Sequence, residues 1–374
     1  MTDKAILEIK EGKLVKSVRA FLKNLLEKKC LDALLVLLEL PAEGRVAMTL
    51  VTDPDMLKHA NPLAPVMMRN TAQIVSEMTR VSPSKRKIGV VLRPCELRAL
   101  VELVKLKQAS LDNLTLIGID CFGTYSVADY QEYCKKSAAP VEDYLKTEPD
   151  SDARLRKACQ VCEYPAPINA DIMIGLIGMN LEKGILIQDI RPDEDNIIKT
   201  LELRDATEAE LKRRETALVV LKAKRIEARD KFFSQLQNEV IGLENLLTTL
   251  APCVGCHNCR VICPICYCKE CFFDSPTFEW EAEKYLGWAD KKSALRMPTD
   301  TLLYHLTRLN HMVASCVGCG MCQEACPNDI PVFSIFRRVG AQVQGDFNYV
   351  PGRKLEEEPP LTVFREDELD EIGK

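Results

Sequence analysis

Eight cysteines toward the end of this 374-residue chain fall into two runs of identical spacing. Cys253, Cys256, Cys259 and Cys263 read C-x2-C-x2-C-x3-C-Pro, and Cys316, Cys319, Cys322 and Cys326 repeat the pattern, again before a proline. Three thiolates two residues apart, on a tight loop holding Gly255 or Gly318, can wrap three corners of a cubane while backbone amides point at its sulfides. The fourth corner must come from elsewhere. In two-cluster ferredoxins the cysteine before proline crosses to the other cluster. The expected sets are therefore Cys253, Cys256, Cys259 and Cys326 for one 4Fe-4S cluster, and Cys316, Cys319, Cys322 and Cys263 for a second. Zinc sites instead pair two short C-x2-C or C-x2-C/His units. A radical-SAM-like C-x3-C-x2-C at Cys259, Cys263 and Cys266 is nested inside the ferredoxin spacing and uses its ligands. No ligand is missing from either motif, so His257 and His311 read as packing or hydrogen-bonding residues.

The chain holds seventeen cysteines in all. Its start, MTDKAILEIKEG, mixes charges of both signs and has no apolar signal core, so a cytoplasmic location is expected, where thiols stay reduced and cluster for metal rather than for disulfides. Cys266, Cys268 and Cys271 are left unused by the ferredoxin sets. A zinc ion or an extra cluster is one reading of them; reduced packing cysteines are the favoured one. Upstream, Cys95 follows the apolar run KIGVVLRP and Cys121 ends LTLIGID, so both lie beyond the carboxyl ends of expected parallel strands, where open α/β sheets bind ligands. Cys159 and Cys162 add a C-x2-C pair. These four thiols could make a third 4Fe-4S site, with Cys134 as a competing ligand. Cys30, at an apolar helix end, reads as core.

The elements that must position these thiols are legible in outline. Residues 1–204 alternate short apolar runs with amphipathic segments, the pattern of an α/β core with a mixed, largely parallel sheet. Helices are expected over 15–29, 70–78 and 97–106, and strands over 32–39, 46–52, 88–92, 114–120, 172–178 and 184–190. A capping box, Thr207 then Glu210, opens a helical spacer over 205–250 that holds one glycine, Gly242. It is expected as one long helix or a broken pair, a spacer packed on the core rather than a strict coiled coil. Residues 251–335 form the two-cluster ferredoxin-like α+β module with a helical insert over 278–315, and 336–374 read as an extended tail.

Composition is that of a folded protein, 47% hydrophobic and 28% charged. A net charge of -5 and only short basic runs such as Lys85-Arg86-Lys87 exclude a phosphate-backbone binder. No apolar run approaches the roughly 18 to 20 residues that span a bilayer. No Ser/His/Asp set or phosphate loop stands out.

The ordered series RPCELRAL (93–100), LDNLTLIGIDCFGT (111–124), CVGCHNCRVICPICYCKEC (253–271), SCVGCGMCQEACPNDIP (315–331) and YVPGR (349–353) resembles the beta subunit of formate dehydrogenases, within the coenzyme F420 hydrogenase/dehydrogenase beta-subunit family. The resemblance runs from about residue 20 to 360. It implies an α/β flavin-binding core, the flavin being FAD, with its own 4Fe-4S cluster on Cys95, Cys121, Cys159 and Cys162, fused to the two-cluster module. It also implies partner subunits in an anaerobic oxidoreductase complex, formate-dehydrogenase-like or heterodisulfide-reductase-like. One departure stands out. Where F420-reducing members carry a glycine pair with a nearby threonine in the first helix region, this chain reads Val15-Lys16-Ser17-Val18-Arg19. The leading expectation is an electron-relay subunit between a catalytic partner and a flavin or second redox partner. The alternative is a flavin-dependent F420 or NAD(P) oxidoreductase that transfers hydride itself.

Overall fold

Strands form in this chain where short β-branched and leucine runs meet turn residues, and eight of them join one sheet among the described residues. The computed structural model describes residues 3–146, 153–191, 196–240, 242–297, 300–360 and 362. The strands are β1 (Asp3–Glu8), β2 (Ala33–Glu39), β3 (Val46–Val51), β4 (Ile88–Leu92), β5 (Leu114–Ile119), β6 (Ile172–Gly175), β7 (Gly184–Asp189) and β8 (Arg204–Asp205). Their order is β3-β2-β4-β5-β6-β7-β1-β8. Only β2, β4, β5 and β6 run parallel to one another; the pairings of β3 with β2, and of β6, β7, β1 and β8 in turn, are antiparallel. The sheet is thus mixed, with a parallel centre, and not largely parallel. Hairpin-like returns, Val46 to Glu39 and Gly175 to Leu186, replace the crossovers a longer parallel run would need.

The parallel strands are buried on both faces, which explains why β2 and β4 are near-continuous apolar runs. Leu34, Val36, Val91, Ile117 and Ile119 join one core cluster with Val18, Phe21, Leu22 and Leu25 of α1 (Leu14–Glu27). The alternate residues Leu35, Val90, Leu92 and Leu116 are buried too, as the two-residue pleat requires of a sheet covered twice. On that side α2 (Thr71–Thr79) packs on α3 (Pro94–Lys105), which touches β5. The helices α4 (Val127–Lys136), α5 (Pro140–Lys146), α6 (Lys157–Gln160) and α7 (Ile197–Thr200) fill the connections. Strand β1 escapes the sequence reading because charges flank its apolar centre; its pairing with β7 decides it.

The spacer is a broken pair, α8 (Glu208–Val240) and α9 (Leu243–Leu250), interrupted at Gly242, whose φ of 95° is open to glycine and strained for other residues. The chain divides into two units. The first comprises residues 1–232, 317–320 and 352–358, and the second 233–316, 321–351 and the described residues after 358. The core therefore extends past 204 into α8, for a physical reason. The Arg214 guanidinium makes a bidentate pair with Asp120 at the end of β5; both side chains are almost wholly buried, and the same carboxylate accepts the Leu176 and Ile177 amides. Arg213 also donates to the Gly178 carbonyl at 2.8 Å.

In the second unit the short α10 (Asn258–Val261) and α13 (Met321–Glu324) pack together, and the insert folds as α11 (Ala282–Lys292) and α12 (Thr301–Met312). The expected tail is not extended from 336. Helix α14 (Val332–Asp346) occupies its start because Val332, Phe333, Ile335 and Phe336 bury an apolar face. Residues 363–374 of that expectation lie outside the described residues.

YVPGR returns the chain to the first unit. The Gly352 amide donates to the buried Glu102 carboxylate at 2.7 Å, and Asn169 Nδ2 donates to the Gly352 carbonyl at 2.8 Å. Gly352 has φ 74°, and a Cβ there would lie 2.5 Å from Arg98 Cα.

Two outcomes follow. Replacing Arg214 by Met leaves Asp120 charged and unpaired in the interior, and is expected to cost about 3–5 kcal/mol in chemical denaturation, while changing both partners to apolar residues recovers much of it. Gly352→Ala combines a strained φ with a backbone clash and should release the 352–358 segment, seen as early proteolytic cleavage there with the rest of the first unit still protected.

Candidate metal centres

The expected third cysteine set is brought together at one end of the sheet. Strands β4 and β5 are parallel neighbours, so the chain leaving each at its carboxyl end starts from the same edge: Cys95 in the first turn of α3, and Cys121 two residues past β5. Cys159 sits on α6 and Cys162 just beyond it, where the Cys162 amide donates to the Cys159 carbonyl at 3.3 Å. All four thiols line one small cavity with Pro94, Gly123, Arg156, Tyr164, Arg225, Gly318 and Cys319.

The walls of that cavity suit anionic sulfur. The α3 N-terminus opens beside it, its frame set by a capping box in which the Glu96 carboxylate accepts the Arg93 amide at 2.8 Å and the Thr71 hydroxyl at 2.6 Å. Arg156 Nε donates to Thr124 Oγ1 at 2.8 Å, and Thr124 Oγ1 lies 3.4 Å from Cys159 Sγ. Arg225, reaching from α8, donates to the Phe122 carbonyl at 2.6 Å. Gly123 is held at φ 127°, and a Cβ there would stand 3.2 Å from Cys159 Cβ. The thiols respond to these surroundings. Burial pushes Cys121 up to about 11, with the neighbouring Cys159 adding to the rise, and burial takes Cys95 well above an ordinary thiol, with Glu96 and Cys319 adding to it. Cys159 goes the other way: burial would raise it, but Arg156, the Thr124 hydrogen bonds and Arg225 together outweigh that and lower it.

A second closed cavity, in the second unit, is lined by Cys253, Cys256, Cys259 and Cys326, the set expected from the crossed-ligand rule. Its loop bends at Gly255, φ 65°, which aims the Gly255 amide at Cys253 Sγ, 3.5 Å away. His257 also lines the cavity and is a hydrogen-bonding residue: its Nδ1 meets Asp274 Oδ1 at 2.6 Å, and its ring stacks on Tyr304 with centroids 4.2 Å apart. Arg260 pairs with the other Asp274 oxygen. Two residues of the insert touch the cysteines of this set directly. Tyr304 Oη lies 3.3 Å from Cys259 Sγ and His305 Nε2 3.4 Å from Cys253 Sγ. Burial, helped by Arg308 and His257, drops the His305 pKa to about 4, so the ring is neutral at pH 7 and can donate its N–H to the Cys253 sulfur.

Of the remaining expected set, Cys263, Cys316 and Cys322 lie in the second unit and Cys319 in the first, on the bend that Gly318 and Gly320 make at φ 71° and 74°. Cys134 is not a ligand of the core cavity. It is buried against the first core cluster and hydrogen-bonds with Tyr130. Cys30 packs at the rim of that cluster. Cys266 is pushed up to about 12 by burial, Cys268 is exposed, and Cys271 packs beside Cys259, Phe273 and Tyr304. Among the described residues no group of three or more His, Cys, Asp or Glu converges to hold a single metal ion, these three included. No disulfide joins any of the seventeen cysteines, all of which are among the described residues. No helix among the described residues is long and apolar enough to cross a membrane.

A family model for the C terminus of the coenzyme F420 hydrogenase/dehydrogenase beta subunit matches residues 85–229, and a 4Fe-4S dicluster domain matches residues 249–330. The F420-dependent formate dehydrogenase subunit beta of Methanocaldococcus jannaschii is 26% identical over 373 residues, covering 90% of this chain and 91% of that protein. The F420-dependent formate dehydrogenase 1 subunit beta of Methanococcus maripaludis is 26% identical over 408 residues, with 96% of each chain covered. The chain is similar to coenzyme F420 hydrogenase/dehydrogenase beta subunits along nearly its whole length. The 4Fe-4S dicluster match takes in both ferredoxin motifs and marks the chain as an iron–sulfur electron-transfer protein. A chain of the F420-reducing [NiFe] hydrogenase complex from Methanosarcina barkeri is similar at 14% identity and a TM-score of 0.43, over 65% of this chain and 93% of that one, a likeness too slight to add to the assignment.

Sequence reasoning missed the polar groups around the thiols: Thr124, Arg156 and Arg225 in the core, and Tyr304 and His305 in the insert. The signal was present in polar residues on helix faces that should be buried. Asp274, which holds both His257 and Arg260, gives a direct check. Asp274→Ala in the beta subunit is expected to speed chelator-driven iron loss several-fold, followed by absorbance bleaching, with little change in secondary structure.

Proposed function

We propose that this beta subunit relays electrons through three 4Fe-4S clusters: one held by Cys253, Cys256, Cys259 and Cys326, one by Cys316, Cys319, Cys322 and Cys263, and a core cluster held by Cys95, Cys121, Cys159 and Cys162. The observation that carries this reading is the position of Cys319. A member of the second ferredoxin motif that belongs to the first unit, it lines the same cavity as the four core thiols, as a relay into a core cluster requires.

Each cluster, when bound, supplies one-electron transfer. What the protein contributes is placement and charge. Arg156 and Arg225 offset the core thiolates, the α3 N-terminus adds its dipole, and Tyr144, buried and donating to the Gly123 carbonyl at 2.8 Å, holds the Cys121 loop in shape. The partners of this path are a catalytic subunit, formate-dehydrogenase-like or heterodisulfide-reductase-like, at one end and a flavin or second redox partner at the other.

A second reading, hydride transfer on FAD bound by this chain, is favoured by the two relatives, both subunits of F420-dependent formate dehydrogenases. The residues at the family's glycine pair do not fit it. Val15, Ser17 and Val18 are buried in the first turns of α1, and their side chains occupy the space that a bare backbone would leave.

The anaerobically purified chain is expected to hold about twelve irons, four per cluster, and Cys95→Ser or Cys121→Ser about eight. About eight in the unaltered chain removes the core cluster. Flavin absorbance after incubation with FAD would favour the hydride reading, and its absence the relay.

A further inference from the structure

Helix α12 is part of the insert that separates the two ferredoxin motifs, and one turn beyond Tyr304 it carries Arg308. This side chain is 4% exposed. None of its three nitrogens meets a hydrogen-bond acceptor, and among the described residues it forms no ion pair. Its one close neighbour of note is the Phe336 ring of α14, 4.8 Å from the guanidinium carbon. A cation with five N–H donors is not left in an apolar interior without acceptors unless something else supplies them.

The surroundings say what that is. Burial alone would lower the Arg308 pKa, but the thiols of Cys263, Cys259 and Cys322, followed by Tyr304, more than reverse it. Cys259 belongs to the first ferredoxin set, and Cys263 and Cys322 to the second. No carboxylate pairs with Arg308 to claim its charge. The neighbouring residues on the same helix, Tyr304 and His305, already address Cys259 and Cys253.

We propose that Arg308 is the shared counter-charge of the two ferredoxin clusters, its unpartnered N–H groups donating to their sulfur atoms and its charge raising both reduction potentials. The proposal rests on the ligand sets given above. A planar fork can serve acceptors on two sides at once, which a lysine ammonium does less well. Adding an electron to a cluster adds negative charge, so a fixed cation beside it stabilises the reduced form and its loss favours the oxidised form. Arg308 is a positioning residue in this sense: it neither ligates iron nor accepts the electron.

The test is an anaerobic redox titration of the full chain followed by electron paramagnetic resonance, with iron and sulfide counted in every sample, for the unaltered protein, Arg308→Gln and Arg308→Lys. The core cluster, recognised as the signal absent from Cys95→Ser, serves as internal reference. The expected result is that Arg308→Gln keeps its iron and moves the ferredoxin pair to lower potential, that Arg308→Lys moves it back toward the unaltered value, and that the core signal stays put. Iron lost in the Gln variant and retained in the Lys variant also supports a required positive charge. Unmoved midpoints in an iron-replete Gln variant overturn the proposal, as does iron loss from both variants, which makes Arg308 a structural residue. If the unaltered chain lacks the signals of a cluster pair, it is the ligand assignment that fails, and the two failures are told apart.

Discussion

Four thiolates cannot share one buried cavity unless positive charge comes with them. Each would raise the pKa of the next, and burial would add to the rise, so cations of the protein ease the loss of the protons that iron binding must displace. The arrangement of this beta subunit follows from meeting that demand in two different settings. In the α/β unit the answer is a sheet edge, where a helix N-terminus and the arginines Arg156 and Arg225 are delivered by elements distant in sequence. In the second unit it is short loops bent at glycine, closed by the polar face of an inserted helix. The lowered Cys159 shows the balance tipping toward the thiolate where two guanidiniums and a hydroxyl meet one sulfur.

The parts that were legible in the sequence are those whose physics is local. Ferredoxin spacing is local, and it led directly to Cys253, Cys256, Cys259 and Cys326 around one cavity. The apolar runs of β2, β4 and β5 were legible because strands buried on both faces have to be apolar throughout. The third cysteine set was legible only as far as two strand ends and a C-x2-C pair, and Cys134 could not be dismissed because nothing local says that it faces Tyr130 and the core. The antiparallel flanks of the sheet stayed hidden for the reason that hid β1: a charged, half-apolar strand is defined by its neighbour, Leu7 opposite Ile185, and not by its own residues. The α14 helix was masked by the acidic, proline-rich chain that follows it.

Residues that surround the cysteines from one layer away were the least legible. A tyrosine, a histidine and an arginine in an amphipathic helix look like solvated surface until the helix is seen to turn them inward. What marks Tyr304 and His305 is burial of polar atoms against sulfur, and burial belongs to the fold. The same holds for Arg214 and Arg225 on α8, which in sequence are two among many charges of a long polar helix.

The Asp120–Arg214 pair has a consequence for how the chain is made. Asp120 is placed at the end of β5 early in synthesis, yet the cation that neutralises it arrives 94 positions later. Glu102 on α3 has its cation nearby in Lys105, yet its second donor, the amide of Gly352, comes 250 residues further on. A ribosome that has delivered only the strands has delivered a sheet with a carboxylate buried and unanswered, so the core gains its full stability late. The last of these contacts, at Gly352, comes from a residue that follows both cysteine motifs in the chain, so the α/β unit is complete only when nearly all of the chain has been made.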